Sequence, residues 1–323
     1  MRKFFVLLCF LLLAGAGGTF FLLKKAYVVP GPLRQDTAVL VHHGDHARII
    51  NTLQHEGVIP QGALYARLTS FFIFLTKKDG QLHAAELLFP AHTSIKQTLS
   101  VLRHGRPIMH KLTIPEGLSA AQIQALINNA SFLSGHITRP GEGSVLPQTY
   151  LYLRNTSRDE LLKRTQEAMT HAVEKIWEDR EADEKIPDKN ALITLASLIE
   201  KETSVPSERS KVAGVFLNRL HKGMKLQTDP AVIFALTNGL EPLDRPLTHA
   251  DLQIESPYNT YLHKGLPPGP VCSPGFSSLY AAAHPAKSSD LYFMATGEGG
   301  HNFTNDLKEH NKNVENYYRN KRK

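Results

Sequence analysis

A run of twenty residues without a charge, Phe4 to Leu23, constrains this chain more than any other feature. As a helix with a rise of about 1.5 Å per residue, it would cover roughly 30 Å, the thickness of a bilayer's hydrocarbon core. Two basic residues precede the run and two lysines follow it. The pattern predicts a short tail at 1–3, a transmembrane helix at 4–23 and nearly all of the chain on one side, and the nearly balanced flanking charges orient the helix only weakly.

A cleavable signal peptide is the alternative interpretation of this segment. Ala14 to Gly17 is a run of small residues, as expected near a cleavage site. Phe20 to Leu23 continue the apolar run beyond that point, which favours a retained anchor. The two cysteines, Cys9 in the anchor and Cys272 far along the chain, provide neither a disulfide framework nor a cysteine-type zinc site.

The composition is that of a folded protein, with 42% hydrophobic and 21% charged residues. The net charge of +7 is compatible with an anionic partner, such as a membrane surface or an acidic polymer, and equally with a simple solubility feature. The length of 323 residues allows one large domain or two modest ones.

Short helices and strands follow the anchor and a basic linker at 24–35. The apolar spacing predicts helices at Ala47–Glu56, Leu64–Leu75 and Asn190–Lys201, and a strand at Gln81–Phe89. Ser119 is in position to cap one helix, Ser207 another after the break at Pro206, and Asp229 a third that begins with Pro230. The irregular order of these elements predicts an α+β fold rather than a parallel βαβ array.

Three glutamates, Glu200, Glu202 and Glu208, lie close together after the apolar helix. Glu200 borders the apolar face, where partial burial would favour a protonated carboxyl suited to general acid catalysis. The alternative is that Glu200 forms an ion pair at the helix end, with Arg209 or Lys201. Glu202 lies about 200° around the helix from Glu200, so the two carboxyls should not share a site while both are helical.

Two later segments, "LQTDP" and "SPYNTY", are dense in hydrogen-bonding side chains. Such side chains suit a sugar-binding groove, and they suit ordinary turns equally well. Neither a metal-binding histidine motif nor a nucleotide-binding glycine pattern is present, and "GEGG" near the C-terminus has no strand-glycine-helix context. We therefore expect no metal and no cofactor.

Long collinear motifs resemble the YceG-like, or MltG, family of endolytic murein transglycosylases. They are "TLASLIEKETSVPSERSKVAGVFLNRLHKGMKLQTDPAVIFAL", "LTIPEG", "ESPYNTY", "GLPPGPVCSPG", "AAAHPAKSSDLYF" and "GGHNFTNDLKEHNKNV". One segment departs from the family pattern, because "EGSVLPQTY" carries Leu146 and Gln148 where an aromatic and an acidic residue are usual.

The resemblance implies an enzyme of the inner (cytoplasmic) membrane whose catalytic domain faces the periplasm. It would cleave the MurNAc–GlcNAc β-1,4 bond within nascent glycan strands, leave 1,6-anhydroMurNAc ends and contribute to ending glycan elongation. It implies a LysM-like subdomain at 36–110 and a YceG-like catalytic domain at 111–323. The partners implied are peptidoglycan strands, the membrane and peptidoglycan synthases, without nucleic acid.

The resemblance assigns the catalytic role to Glu200 in the Glu-Lys-Glu-Thr motif. A lytic transglycosylase needs one essential acid, because the sugar's own C6 hydroxyl is the nucleophile. The candidate substrate-binding residues are Glu208, Asn218, Gln227, Asp229, Tyr258 and Asn259.

Two alternatives of other classes follow from the same sequence. One is a non-catalytic peptidoglycan-binding scaffold for cell-wall synthases, which would bind sacculi without shortening their glycans. The other is an aminodeoxychorismate lyase, a name that this family has carried. That chemistry uses pyridoxal phosphate on a lysine of a soluble enzyme, so the anchor argues against it.

Overall fold

The computed structural model describes residues 2–240, 243–297 and 299–321, with side chains from residue 15 to residue 319 within those ranges. The chain divides into two compact units, residues 1–110 and 111–323. Each unit has a hydrophobic core of its own, and we describe them separately.

The first unit is a two-stranded sheet surrounded by helices. Its elements are α1 (Arg2–Val28), β1 (Thr37–Leu40), α2 (His46–His55), α3 (Ala63–Leu75), β2 (Glu86–Phe89) and α4 (Ile95–His104). β1 and β2 pair antiparallel, with Thr37 opposite Phe89. Asp45 caps α2 through the Arg48 N–H, and Ser94 and Gln97 form a capping box at α4, so both helix starts are satisfied by side chains next to them in the sequence.

The predicted membrane span lies partly outside the described side chains. The α1 backbone is helical through the whole segment, whereas the side chains of Phe4 to Ala14 are among those not described. In the described part of the chain, no helix combines the length and the hydropathy that a membrane crossing requires.

The second unit combines seven helices of the described residues with short strand pairs. Its elements are β3 (Met109–Thr113, at the boundary), α5 (Ala120–Asn129), β4 (Thr149–Leu153), α6 (Arg158–Glu178), α7 (Lys189–Glu202), α8 (Arg209–His221), α9 (Asp229–Thr237), α10 (Phe276–Ala283), β5 (Tyr292–Ala295), β6 (His301–Thr304) and α11 (Leu307–Lys321). β3 pairs with β4, and β5 pairs antiparallel with β6.

Helix α7 is the centre of the second unit. Its residues from Thr194 to Ile199 are all buried, and it packs against α6, α8, α9 and α10. A helix that is apolar on nearly every face is stable only when other elements surround it. The polar residues at the C-terminal end of α7 are therefore held at the edge of a rigid core.

The mixed α+β class predicted from the sequence is confirmed, and most predicted helices are present within one or two residues. Two predicted helix starts are shifted. A 3₁₀ turn at Pro206–Glu208 precedes α8, which begins at Arg209, and Thr228 rather than Asp229 is the N-cap of α9. No strand was predicted in the region of the β5–β6 hairpin.

Candidate active site

The last turn of α7 directs two glutamates to different partners. Glu200 contacts α8 and the loop that precedes α10, whereas Glu202 contacts the loop that precedes α9. Their separation agrees with the helical spacing inferred from the sequence. The site thus has two separate carboxyls, from the residues that precede and follow Lys201 in the sequence.

Glu202 is the more strongly perturbed of these acids. Its Oε1 accepts a hydrogen bond from Thr228 Oγ1. The pKa of Glu202 is raised to about 7, mainly by burial and also by the nearby Asp229 charge, while the Thr228 hydrogen bond and Arg219 lower it. Near neutral pH, a substantial fraction of Glu202 therefore carries a proton that it can donate.

Backbone contacts hold Thr228 against this carboxyl. Gln227 has a positive φ of 50°, and its N–H donates to Thr260 O at 3.1 Å. The Thr228 N–H donates to Thr260 Oγ1 at 3.0 Å. These bonds join "LQTDP" to "SPYNTY", two motifs that are distant in the sequence. The structure thereby brings the polar groups of both motifs to one side of α7.

Asp229 and Tyr261 extend the polar surface beyond Glu202. Tyr261 Oη donates to Asp229 Oδ1 at 2.6 Å, and burial together with this carboxylate raises the pKa of Tyr261. Asp229 itself is exposed. Asp229 lies at the start of α9, where its carboxyl oxygens can accept hydrogen bonds from a ligand hydroxyl.

Glu200 has the contacts of a carboxylate in an ion pair. Its side chain is only 6% exposed and lies 3.4 Å from Arg209 Nη2, and Oε2 accepts the Gly275 N–H at 2.9 Å. Glu116 Oε2 lies 3.4 Å from the same Arg209 nitrogen. Burial, followed by the Glu200 charge, raises the pKa of Glu116. The guanidinium of Arg209 therefore forms ion pairs with both carboxyls.

The loop before α10 leaves space for the carboxyls of Glu116 and Glu200. Val271 N–H donates to Ser197 Oγ at 3.1 Å, which fixes the loop to α7. At Gly275, a Cβ atom would lie 1.8 Å from Glu116 Oε1. A side chain at this position would require the Glu116 carboxyl to move from its place beside Arg209.

A cavity of about 260 Å³ lies beside Lys201. Gly117, Lys201, Pro230 and Phe234 contribute to its walls. Lys201 is exposed and its Nζ is 3.4 Å from Gly117 O. Lys201 separates Glu200 from Glu202 in the sequence, and it is the residue of the α7 end that lines this cavity.

Three of the predicted substrate-binding residues are accessible near this surface. Gln227 and Asp229 are exposed, and Tyr258 is half-buried with its ring 4.8 Å from that of Phe234, which borders the cavity. Asn259 differs, because it has no exposed surface and its amide donates to Leu252 O and Ile254 O. In this conformation, Asn259 holds its own loop and cannot reach a ligand.

The other two predicted substrate-binding residues also bond within the protein. Glu208 accepts the His301 N–H at 2.8 Å and lies 2.7 Å from His301 Nδ1. Burial would raise the pKa of Glu208, but its bonds with His301 outweigh that effect and lower it. Asn218 donates to Ser288 O and Asp290 O, both at 2.9 Å. These contacts secure the β5–β6 hairpin and the loop before it, and direct sugar binding by either residue stays an untested prediction.

The two departures from the family pattern fall in different environments. Leu146 is buried in the core around α7, whereas Gln148 is exposed. In the part of the chain that the structure describes, no group of three histidine, cysteine, aspartate or glutamate side chains is arranged to hold a metal ion.

Sequence reasoning did not identify Glu202, Glu116 or Tyr261 as site residues. Glu202 was set aside because it lies away from Glu200 on the helix. The available signal was the polarity of "LQTDP", but the spacing of α7 does not show which face that loop covers. Only the tertiary packing shows that Thr228 meets Glu202.

The fold and site define an α+β protein with an acidic centre at the end of a buried helix. A sequence profile of the YceG-like family matches residues 39–316, and the chain belongs to this family. A crystal structure of a YceG-like protein from Listeria monocytogenes is similar, with a TM-score of 0.54 and 28% identity. The match covers 86% of this chain and 98% of that one.

Two curated relatives carry the name endolytic murein transglycosylase. The one from Bacillus subtilis (strain 168) is 43% identical over 183 residues, which cover 56% of this chain and 49% of that protein. The one from Streptococcus pneumoniae serotype 2 (strain D39) is 26% identical, with coverage of 95% of this chain and 63% of that protein. The chain thus spans about half to two thirds of the length of these relatives.

Proposed function

We propose that this chain is a peptidoglycan lytic transglycosylase that cleaves within glycan strands. The names of its curated relatives support this class of activity. The single observation that carries the proposal is the carboxyl of Glu202, which accepts a hydrogen bond from Thr228 and has a pKa raised to about 7. A protonated acid at neutral pH is what glycosidic bond cleavage requires.

The reaction needs only one such acid. Glu202 donates its proton to the bridging oxygen of a MurNAc–GlcNAc β-1,4 bond, and the bond from that oxygen to C1 of MurNAc breaks. The C6 hydroxyl of the same MurNAc then bonds to C1, and its proton returns to Glu202. The product is a 1,6-anhydro end, formed without water and without a cofactor. A tethered nucleophile has the rate advantage of an intramolecular reaction.

The sequence favoured Glu200 for this role, and the contacts lead us to propose Glu202 instead. Glu200 Oε1 lies 3.4 Å from Arg209 Nη2 and its Oε2 accepts the Gly275 N–H, so both oxygens are already engaged within the protein. Glu202 has no such ion pair among the described residues, and its hydroxyl partner is compatible with the protonated form. We assign Glu200 to anchoring the loop that carries Gly275.

Exposed polar groups near Glu202 are our candidates for positioning the sugar. Asp229 can accept hydrogen bonds from sugar hydroxyls, and Gln227 can donate and accept them. Tyr258 is half-buried, and its ring lies 4.8 Å from that of Phe234, a residue of the cavity wall. These assignments retain three of the six substrate-binding residues predicted from the sequence.

We further propose the cellular setting that the sequence implies. Residues 4–23 anchor the chain in the inner membrane, residues 36–110 form a LysM-like subdomain, and the second unit acts on periplasmic glycan near peptidoglycan synthases. The uncharged apolar run at the N-terminus and the separate core of residues 1–110 support this arrangement. Cleavage of nascent strands there would end their elongation.

The test is digestion of purified sacculi by the full-length protein in detergent, with mass spectrometry of the glycan ends. We expect 1,6-anhydro ends from within the strands. Glu202→Gln should lower the rate by about 10² to 10⁴-fold, the usual contribution of a general acid. Glu178→Gln, at an exposed position on α6, is the matched control and should have no effect.

Each other result has a distinct meaning. Reducing ends would show hydrolysis and overturn the transglycosylase assignment. Sacculus binding without shorter glycans would indicate the scaffold function. If Glu200→Gln abolished the reaction and Glu202→Gln did not, the acid would be Glu200, provided that both variants keep the melting temperature of the parent protein.

A further inference from the structure

Helix α3 of the first unit carries an exposed apolar face. Its members are Leu64, Phe71, Phe74 and Leu75. Leu64 is 66% exposed, Phe74 is 76% exposed and Leu75 is 61% exposed. At 100° per residue, the four side chains lie within an arc of about 100° on one side of the helix. We call this set the α3 apolar face.

The α3 apolar face is not needed for the unit's own core. Phe72 and Ile73, on the other side of the helix, are buried in that core. A helix that is already packed on one side and apolar on the other has a second surface to cover. Contiguous exposed apolar side chains of this size mark a site of interaction with a protein or a membrane.

Helix α1 connects this surface to the proposed anchor. The Tyr27 ring lies 4.5 Å from the Phe72 ring, which in turn lies 5.6 Å from the Phe71 ring of the α3 apolar face. Leu23 also packs against the core of the unit. The end of α1 is therefore fixed to α3, and the exposed Phe20 and Phe21 lie about one to two turns nearer the N-terminus.

Basic residues surround this apolar surface. Arg67 is exposed on the same side of α3, and Lys77 and Lys78 follow the helix directly. Lys24 and Lys25 are exposed on α1. The acidic residue in this stretch is Asp79, which lies 4.0 Å from Arg103. Apolar side chains bordered by lysine and arginine are the pattern of helices that lie in the interface of a membrane with anionic lipids.

We propose that the α3 apolar face inserts into the surface of a bilayer that contains anionic lipids. Phe71, Phe74 and Leu75 enter the boundary between headgroups and acyl chains, and the lysines contact lipid phosphates. This contact rests on the proposed anchor, and it is independent of the proposed reaction. It holds the first unit against the membrane rather than leaving it on a mobile tether.

The test uses the full-length protein in lipid nanodiscs and the fluorescence of single introduced tryptophans. The chain has one native tryptophan, Trp177 in the second unit, and the parent protein provides its background signal. Phe74→Trp places a reporter on the α3 apolar face. Leu88→Trp is the matched control, because Leu88 is also an exposed apolar residue of the first unit but lies on β2.

The discs contain phosphatidylcholine and phosphatidylglycerol, with bromine atoms near the upper acyl chain as quenchers. We expect bromolipid to lower the Phe74→Trp signal by roughly twofold or more while it leaves Leu88→Trp unchanged, as for a side chain at the interfacial depth. Equal quenching at the two positions, or none at Phe74→Trp, would overturn the proposal. So would a failure of the chain to remain in the discs, because the anchor would then be absent.

A second experiment tests the role of the lysines next to the α3 apolar face. Lys77→Gln with Lys78→Gln should weaken the quenching of Phe74→Trp in phosphatidylglycerol discs and leave it unchanged in discs of phosphatidylcholine alone. An identical loss in both lipids would argue against anionic headgroups as the partner. The sacculus digestion in detergent involves no bilayer, so failure of this proposal and failure of the proposed function can be told apart.

Discussion

Glu202 and Thr228 are joined by a hydrogen bond in which the threonine hydroxyl donates to the carboxyl. The bond connects the last residue of α7 to the N-cap of α9. It also lowers the pKa of a carboxyl that burial has raised. The loop before α9 therefore adjusts the protonation of the proposed acid as well as its position.

Replacement of Thr228 should change the pH dependence of the reaction. Thr228→Val keeps the shape of the side chain and removes the donor, so the pKa of Glu202 should rise above its present value of about 7. The alkaline limb of kcat/KM should then move to higher pH by roughly 0.5 to 1 unit. Thr170→Val, on the exposed side of α6, is the control. An alkaline limb that stays in place would show that Glu202 is not the group that controls it.

The raised pKa of Glu202 should also affect stability. Between pH 4.5, the ordinary value, and about pH 7, the folded protein keeps a proton that the unfolded chain has released, so stability falls as pH rises through this window. Glu202→Gln removes the titrating carboxyl and therefore this loss of stability. The free energy of unfolding of this variant should exceed that of the parent only slightly at pH 4.5. The difference should grow with pH to about 1 to 3 kcal/mol and stay constant above pH 7. Thermal unfolding across the pH range measures the difference, and a gain that shrinks with pH would contradict the raised pKa.

Replacement of only one partner of the Arg209–Glu200 ion pair should destabilise the protein. Arg209→Met leaves a carboxyl that is 6% exposed without its cation, and we expect a melting temperature about 6 to 12 °C lower. Adding Glu200→Gln should restore most of the loss, because the buried charge is then gone. A double variant that is no more stable than Arg209→Met would show that packing of the arginine, rather than its charge, is what matters.

Gly214 should be intolerant of alanine although it lies inside α8. A Cβ atom there would lie 2.5 Å from Ala286 O, and the Ala286 N–H is itself bonded to Ser210 O at 2.8 Å. The backbone of that loop cannot withdraw without losing its contact with α8. We expect Gly214→Ala to destabilise the protein by about 1 to 3 kcal/mol despite the better helix propensity of alanine. Lys211→Ala, at an exposed position on the same helix, should stay within about 0.5 kcal/mol.

The sequence was most informative where local chemistry decides the structure. The spacing of apolar residues located α2 within one residue of its bounds, and Ser119 caps α5 as predicted, with Gln122 completing a capping box. The strands β5 and β6 were missed because each has only four residues and their turn is rich in glycine. Short strands depend on pairing across a turn, which local spacing does not report.

The candidate site was less predictable than the helices. The helical period correctly separates Glu200 from Glu202, but it does not show what covers each of them. That depends on contacts over long sequence separations, such as Thr228 with Glu202 and Glu116 with Arg209. Partial burial was expected to favour Glu200 as the acid, whereas in the structure Arg209 lies next to Glu200 and burial raises the pKa of Glu202.

The contact of Gly275 with Glu116 limits how this protein can change. The two residues belong to different motifs, "GLPPGPVCSPG" and "LTIPEG", and a Cβ at 275 would overlap the Glu116 carboxyl. A larger residue at 275 therefore requires the Glu116 side chain to move or to be shortened, and either change disturbs one of the two carboxyls on Arg209. In a library that randomises both positions, functional clones should pair a side chain at 275 with a short residue at 116.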